Sequence, residues 1–208
     1  MTKNDRVLIL GYQEGRIVDF LRTESCEVQI EDGPLSLEQI RAINPRHIVS
    51  YGYRHIIKPR VVEAYPRVVN LHIALLPWNR GRNPNFWSWL ENTPKGVTIH
   101  HIDDGIDTGP VLAQEEVQFD EDKETLASSY RGLKDKVETL FIEFWRQIST
   151  DGARTAPQRG KGTYHSGIEF EDYKNLLSLG WDTPVREIKR YGKEGGLWVL
   201  NERGERIK

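Results

Sequence analysis

The chain has 208 residues, enough for one domain with a full hydrophobic core and a short appendage. Hydrophobic residues make up 38% and charged residues 29%, a composition typical of a soluble globular protein that excludes whole-chain disorder and membrane spanning. The formal net charge of -2 provides no global positive field to hold a polyanion such as tRNA or DNA. A single cysteine, Cys26, and a start without a signal-peptide apolar region predict a reducing cytoplasm.

The first half of the chain alternates short apolar runs with amphipathic segments, the pattern of an α/β domain. A helix is predicted after the first apolar run, and another begins near Ser36. Buried strands are predicted at residues 6–11, 26–30, 46–50 and 68–72. Strands that alternate with helices imply a mostly parallel, twisted sheet of Rossmann-like topology.

Beyond this region a polar loop at residues 76–85 leads to a short aromatic helix, and a further strand is predicted at residues 96–102. Apolar residues three and four apart between Leu126 and Ile148 predict one long helix. We expect a main domain over residues 1–150 and a C-terminal extension over residues 151–208 packed on it. The extension carries a helix capped near residues 182–184 and a hairpin from Leu197.

The glycines after the first strand do not form a nucleotide-binding motif. Gly11 and Gly15 lack the G-x-G-x-x-G spacing of a dinucleotide fingerprint, and no P-loop lysine follows. Dinucleotide-dependent and P-loop chemistry are therefore disfavoured.

Three polar residues are candidates for chemistry. Asn70 and His72 are two apart on a predicted strand, so their side chains point to one face. Asp107 follows the next predicted strand in a glycine-flanked loop, from which a carboxylate can reach a histidine on a neighbouring strand. Each residue alone also has a structural explanation, because Asn70 can cap a turn, His72 can be a core histidine and Asp107 can form a turn.

The surroundings of these residues favour chemistry. Asn70-Leu-His-Ile-Ala-Leu-Leu-Pro77 is followed by Arg80-Gly81 and then by Gly96-Val-Thr-Ile-His-His-Ile-Asp-Asp-Gly-Ile-Asp-Thr-Gly-Pro110. This order of motifs resembles that of the 10-formyltetrahydrofolate-dependent formyltransferases, with weaker similarity over residues 5–150. The resemblance implies a formyltransferase catalytic domain whose catalytic residues are Asn70, His72 and Asp107.

The residue types also suit formyl transfer. When an amine attacks a formyl carbon, negative charge develops on the oxygen and the amine becomes acidic. The amide of Asn70 and the imidazolium of His72 can donate to this oxyanion, while Asp107 orients His72, favours its charged form and relays the proton. The reaction needs neither a metal nor a covalent nucleophile, and we expect no metal site because His100 and His101 point to opposite faces of a strand.

By the same resemblance, the cosubstrate is 10-formyltetrahydrofolate, and two segments line its pocket. These are residues 51–57, with Tyr51, Gly52, His55, Ile56 and Ile57, and residues 102–107, with Ile102, Asp103 and Asp104. The loop after His72 is expected to bind the amine substrate, together with His100, and contains Trp78, Asn79, Arg80, Gly81, Arg82 and Asn83. Phe86, Trp87 and Trp89 either add ring surfaces for a sugar or pack in the core.

The family includes enzymes that formylate methionyl-tRNA, glycinamide ribonucleotide and nucleotide-linked amino sugars. Methionyl-tRNA enzymes carry a further basic domain, and a net charge of -2 argues against tRNA. Enzymes for glycinamide ribonucleotide hold phosphate on the loop after the first strand, where this chain has Glu14, which would repel phosphate. We therefore expect a sugar N-formyltransferase of bacterial surface glycan biosynthesis. Segments 162–165 and 170–173 resemble tails of such enzymes, including those for pseudaminic-acid-type sugars.

Two other classes stay open: a 10-formyltetrahydrofolate hydrolase that uses water as acceptor, and a silent folate-binding module. Turnover that depends on an amine separates the transferase from both. The expected partner is a nucleotide-linked amino sugar, with neither nucleic acid nor membrane. The sequence leaves the oligomeric state open, with a homodimer as one option.

Overall fold

The computed structural model describes residues 5–12, 14–150 and 152–198. The elements in chain order are β1 (Arg6–Leu10), α1 (Arg16–Thr23), β2 (Glu27–Glu31), α2 (Leu37–Ile43), β3 (His47–Tyr51), α3 (Pro59–Ala64), β4 (Val69–His72), β5 (Arg80–Gly81), α4 (Pro84–Leu90), β6 (Gly96–His101), β7 (Val111–Glu116), α5 (Leu126–Ser149), β8 (Tyr164–His165), a 3₁₀ helix (Glu169–Leu176), β9 (Ser178–Trp181) and α6 (Val185–Glu194).

Six strands form one sheet in the order β2-β1-β3-β4-β6-β7. The first four of these pair in parallel. β6 runs in the opposite direction to β4, because the amide of Ile102 donates to the carbonyl of Val68 while Asn70 lies beside His100. The predicted α/β class with a mostly parallel sheet is confirmed.

Local sequence explains the elements that carry the sheet. β3 is buried at every position, as expected of a central strand covered on both faces. α2 begins with a capping box, in which Ser36 accepts from the backbone of Gln39 and the side chain of Gln39 accepts from the backbone of Ser36. These signals explain why the first strands and helices match their predicted positions.

The chain divides into two compact units, each built from several segments. The first unit comprises residues 1–72, 99–113 and 137–158, and the second comprises residues 73–98, 114–136 and 159–208. The core of the first includes Leu8, Leu10, Ile40, Ile48, Val61 and Val68. The core of the second includes Phe86, Trp87, Trp89, Leu90, Leu126, Phe170, Val185 and Ile188. The predicted domain boundary at residue 150 stays a prediction.

Several elements had no counterpart in the sequence prediction: α3, β7, β9, the 3₁₀ helix and the small parallel sheet of β5 and β8. The predicted C-terminal helix is present as α6, which begins directly after Pro184. The hairpin predicted from Leu197 falls mostly on residues 199–208, outside the described residues. No helix in the described part of the chain is long and apolar enough to cross a membrane.

Candidate active site

Strands β4 and β6 and the loop after β6 bring four polar side chains of the first unit together. The amide nitrogen Nδ2 of Asn70 donates to Oδ1 of Asp107 over 3.1 Å. Nδ1 of His72 lies 3.7 Å from Oδ2 of the same carboxylate. His72 is 7% exposed and His100 is 1% exposed, so the cluster is largely shielded from water. The three residues predicted to be catalytic thus lie in contact, and their roles stay predictions.

His100 links the same cluster through a defined tautomer. Its Nδ1 lies 2.7 Å from the backbone oxygen of His101, and because a carbonyl only accepts, this nitrogen carries the proton. In the neutral ring Nε2 is then an acceptor, which receives an N–H of Asn70 over 3.1 Å. Both N–H groups of Asn70 are therefore in use, one on His100 and one on Asp107, and its carbonyl oxygen Oδ1 is left to accept from a ligand.

The loop that carries Asp107 is held by side chains along and beyond it. Asp107 has φ 52°, in the left-handed region that few non-glycine residues adopt. Nε2 of Gln158 donates to the backbone oxygens of Asp107 and Gly109 over 2.8 and 2.9 Å. Asp103 accepts from the hydroxyl of Thr108 over 2.6 Å, so its carboxylate stabilises the loop from within. Sequence reasoning missed Gln158, which lies in a polar segment without a recognisable motif.

In the first predicted wall of the folate pocket, Tyr51 is buried and the backbone of Gly52 is exposed. Tyr51 stacks on Tyr12 with ring centroids 5.0 Å apart, and its hydroxyl donates to Glu138 over 3.3 Å. Gly52 has φ 66°, and no atom lies within 4 Å of the position that a Cβ would take. The backbone at Gly52 is therefore accessible to a ligand, whereas the side chain of Tyr51 packs inward.

The remaining predicted folate residues divide between core and surface. Ile57 and Ile102 pack against the core of the first unit. His55 packs edge-on against Tyr53 with centroids 5.3 Å apart, and Ile56 is 82% exposed. Asp104 is exposed in the loop before Asp107. Contact of any of these residues with folate stays a prediction.

The predicted substrate loop lies in the second unit and pairs with a segment near the C-terminus. Arg80 and Gly81 of β5 pair with β8, where the backbone oxygen of His165 accepts from the amide of Arg82 over 3.0 Å. The side chain of Asn79 is fully buried and accepts from Thr93 over 2.7 Å, so it stabilises the loop. Trp78 and Asn83 are half-buried and Arg82 is exposed.

A charged cluster supports this paired strand. The ring of His165 stacks on Trp87 with centroids 3.9 Å apart, and its nitrogens lie 3.1 Å from Glu91 and 3.2 Å from Glu169. Burial by itself lowers the pKa of His165, but the two carboxylates outweigh it and raise the pKa above its ordinary value. Glu91 and Glu169 therefore favour the charged form of His165, which lies in β8.

The aromatic residues of α4 do not offer ring surfaces for a sugar. Phe86, Trp87 and Trp89 are all fully buried in the core of the second unit. The interpretation that these three rings provide surfaces for a sugar is wrong, because every residue of α4 is buried. The alternative interpretation, that the rings pack in the core, is the one observed. Among the described residues, no group of His, Cys, Asp and Glu side chains is arranged to hold a metal ion.

The family model described as formyl transferase matches residues 18–144. The chain belongs to the formyltransferase family. The matched range includes the strand of Asn70 and His72 and the loop of Asp107.

The curated relatives of this chain are longer than the chain. It is 31% identical over 168 residues to a methionyl-tRNA formyltransferase of Kosmotoga olearia, covering 77% of this chain and 52% of that protein. It is 36% identical over 111 residues to a dTDP-4-amino-4,6-dideoxyglucose formyltransferase of Mycobacterium bovis, covering 53% of this chain and 47% of that protein. The chain thus spans about half the length of the curated relatives it matches.

One similar solved structure matches almost end to end. It is the formyltransferase PseJ from Anoxybacillus kamchatkensis in complex with UDP-4,6-dideoxy-4-formamido-L-AltNAc and tetrahydrofolate. The identity is 42% and the TM-score 0.85, over 89% of this chain and 99% of PseJ. A 4-N formyltransferase from Francisella tularensis shares the fold, with a TM-score of 0.72 at 19% identity over 98% of this chain and 95% of that one.

Proposed function

We propose that this protein is a sugar N-formyltransferase, which moves a formyl group from 10-formyltetrahydrofolate to the amine of a nucleotide-linked amino sugar. The likeness to PseJ carries the proposal. That enzyme is 42% identical, is matched over 99% of its length and was solved with a UDP-linked formamido sugar and tetrahydrofolate. The contact among Asn70, His72 and Asp107 supports it independently, because these groups suit acyl transfer to an amine.

The catalytic steps follow from the cluster. The amine lone pair forms a bond to the formyl carbon, and the C=O π electrons move to the oxygen. Nε2 of His72, the ring nitrogen away from Asp107, donates to this oxyanion. Asn70 joins as a second donor if one of its N–H groups turns from its present partner, while its Oδ1 accepts from the attacking amine.

The proton and the leaving group complete the balance. The attacking amine becomes acidic and gives a proton to Asp107, directly or through water. Collapse of the tetrahedral intermediate re-forms the C=O bond and breaks the bond from carbon to the folate nitrogen. This nitrogen takes up the proton that Asp107 holds, directly or through water, so tetrahydrofolate leaves neutral at that nitrogen and the carboxylate is restored. His72 is 7% exposed, so the charged intermediate forms in a site where electrostatic interactions are stronger than in water.

The residues proposed for the folate pocket suit an aromatic pteridine. Gly52 leaves its backbone open, and the exposed apolar side chains of Ile56 and Ile106 supply surface that is otherwise unfavourable in water. Among the proposed sugar-binding residues are Arg80 and the exposed Arg82. Their guanidinium groups can donate paired hydrogen bonds to the phosphate oxygens of a nucleotide. Asn79 acts in this scheme by holding the loop, because its side chain is buried.

An acceptor panel tests the proposal. Tetrahydrofolate formation from 10-formyltetrahydrofolate would be followed by absorbance without an acceptor, then with nucleotide-linked amino sugars, free amino sugars, glycinamide ribonucleotide and methionyl-tRNA. We expect release only with a nucleotide-linked amino sugar, and a formamide product by mass spectrometry. Release without amine would identify a hydrolase, and folate binding without turnover on any acceptor would favour a silent module.

The remaining parts of the proposal concern assembly and compartment. The oligomeric state stays open, with a homodimer as one option, and sedimentation equilibrium on the full chain would determine it. We also propose a reducing compartment, because Cys26 is the lone cysteine and cannot form an internal disulfide. A role in surface glycan synthesis is proposed with the substrate and would be abandoned with it.

A further inference from the structure

The small sheet of β5 and β8 has two faces of opposite character. The strands pair in parallel, with Arg80 beside Tyr164, and in the next pair Gly81 lies beside His165. His165 is 5% exposed and stacks on Trp87, whereas Tyr164 is 48% exposed. Because successive side chains of a strand point to opposite faces, Tyr164 lies on the outer face and His165 on the inner face. Arg80 shares the outer face with Tyr164, so an aromatic ring lies there beside a cation.

The ring of Tyr164 is available to a ligand. A Cβ at position 81 would lie 3.0 Å from Cε2 of Tyr164, so the glycine lets this ring approach the backbone of β5 closely. Tyr164 makes neither a side-chain hydrogen bond nor a ring stack with any residue that the structure describes. An exposed aromatic ring of this kind can stack on a planar ring of a ligand.

Two arginines on β5 and directly after it can bind phosphate. The guanidinium of Arg80 donates through Nε to the backbone oxygen of Thr163 over 3.4 Å and through Nη2 to that of Lys161 over 3.3 Å. Its Nη1 is left to donate to a ligand. Arg82 is exposed, and within the described ranges its side chain has neither a hydrogen bond nor an ion pair. Guanidinium groups donate paired hydrogen bonds to phosphate oxygens, so both arginines suit a diphosphate.

The acidic residues that contact this sheet do so from its inner face. Glu91 and Glu169 lie 3.1 and 3.2 Å from the ring nitrogens of His165. Neither Arg80 nor Arg82 forms an ion pair with a carboxylate of the described residues. The positive charge of the outer face is therefore not neutralised by these carboxylates, and the exposed Lys161 adds to it.

We propose that the outer face of β5 and β8 is a nucleotide subsite, in which a nucleobase stacks on Tyr164 and the diphosphate binds Arg80 and Arg82. The inference rests on the proposed function, because a nucleotide-linked amino sugar carries both groups. It adds Tyr164 as the residue that recognises the nucleoside end of that substrate. Since every base has a π-face, the ring favours a nucleotide over a bare phosphate group without selecting one base.

Titration calorimetry of the full chain with UDP and with inorganic pyrophosphate tests this subsite. Neither folate nor an amine is added, so binding is measured apart from turnover. We expect Tyr164→Ala to weaken UDP binding by about tenfold or more, the scale of a lost stack between a base and an aromatic ring. Its affinity for pyrophosphate should not change. Tyr164→Phe keeps the ring and should bind UDP like wild type.

The arginine variant and a matched tyrosine separate the two parts of the subsite. Arg82→Gln loses charge-assisted hydrogen bonds and should weaken UDP and pyrophosphate alike, by about tenfold. Tyr130 on α5 is also 48% exposed, so Tyr130→Ala is the matched control and should bind UDP like wild type. Thermal unfolding of each variant checks that the small sheet is retained.

The outcomes distinguish the subsite from the proposed function. A wild-type chain that does not bind UDP would overturn the subsite, as would Tyr164→Ala with unchanged UDP affinity or with equal losses for UDP and pyrophosphate. If the enzyme formylates a nucleotide-linked amino sugar in any of these cases, the proposed function stands without the subsite. If UDP binds through Tyr164 but no amine accepts the formyl group, the subsite stands and the proposed function falls.

Discussion

At the scale of single residues, one carboxylate organises the candidate active site. Asp107 accepts from Asn70 and lies against His72, so loss of its charge removes both the orientation of the imidazole and the proton acceptor. We predict that Asp107→Asn and His72→Ala each lower kcat by at least about 10²-fold, the usual scale for a lost acid-base group or oxyanion donor. The tetrahydrofolate assay measures this, with the exposed Asp172→Asn as control. Rates near wild type in both variants would refute the assignment.

Gln158 holds the backbone of the loop that carries Asp107. Its side-chain nitrogen holds the backbone oxygens of Asp107 and Gly109, so Gln158→Ala frees a loop whose Asp107 already has a left-handed backbone. Because a misplacement of about 1 Å at a reacting group costs up to about 10²-fold in rate, we predict that kcat falls by about 10- to 100-fold. The KM for the amine should change little.

The conservative variant Gln158→Glu separates the positioning role of Gln158 from a general loss of stability. Gln158→Glu keeps the size of the side chain but presents a carboxylate to two carbonyl oxygens, so it should be at least as impaired as Gln158→Ala. Thermal unfolding of both variants provides the stability control. A fall in KM alone, or full activity in Gln158→Glu, would show that the loop does not depend on this donor.

The sequence predicted the candidate catalytic residues better than the residues that hydrogen-bond to them. Asn70 and His72 share a face because of their spacing on a strand, and Asp107 was found from its glycine-flanked loop at the end of the next strand. His100 was predicted to contact substrate, whereas its bond to Asn70 depends on a cross-strand register that the sequence does not state. Gln158 reaches Asp107 only after the chain has passed through α5, and no local pattern encodes such a contact.

At the scale of elements, periodicity and caps decided what the sequence could predict. α5 has a long apolar stripe, so its extent was predicted close to its observed bounds, and α2 has a capping box at Ser36, where its start was predicted. β5 and β8 are two residues each and pair only through tertiary structure, so they carry no periodic signal. α3 has six residues, too few for a helical stripe to be recognised.

Two glycines beside β8 make a matched test of this small sheet. Gly160 and Gly162 both have positive φ, but only at Gly162 would a Cβ overlap the carbonyl oxygen of Pro77. A left-handed backbone costs a non-glycine residue about 1–2 kcal/mol in either place. We predict that Gly162→Ala lowers the free energy of unfolding by more than Gly160→Ala, and that only Gly162→Ala raises the KM for the amino sugar. Urea unfolding measures the first effect, and equal losses would contradict it.

His165 gives the second unit a pH dependence with a definite sign. Its pKa in the folded protein is raised by Glu91 and Glu169 against the effect of burial. The stabilisation is therefore complete below the ordinary pKa of 6.5 and is lost as the pH rises through the raised value. We predict that the difference in unfolding free energy between wild type and His165→Gln shrinks as the pH rises from 6.5 through the raised pKa of His165. A difference independent of pH, or the same trend in the exposed His55→Gln, would contradict this.

At the scale of the whole molecule, charge and continuity of the chain set the expected behaviour. A net charge of -2 with an isoelectric point near 6.3 provides no positive field to attract a polynucleotide, which agrees with a small acceptor.

Three elements, β6, β7 and α5, each have residues in both compact units. A strand or helix that belongs to two units cannot lose its structure in one without disturbing the other.

We therefore predict that the two units unfold in one cooperative transition. Trp145 is the only tryptophan within the ranges of the first unit, and the other five of the six lie in the second. In Trp145→Phe, fluorescence reports on the second unit alone while far-ultraviolet circular dichroism reports on both. Coincident urea midpoints for the two signals are expected, since coincident probes are the mark of a two-state transition. Separate midpoints would mean that the continuous elements break at the boundary and that each unit is stable by itself.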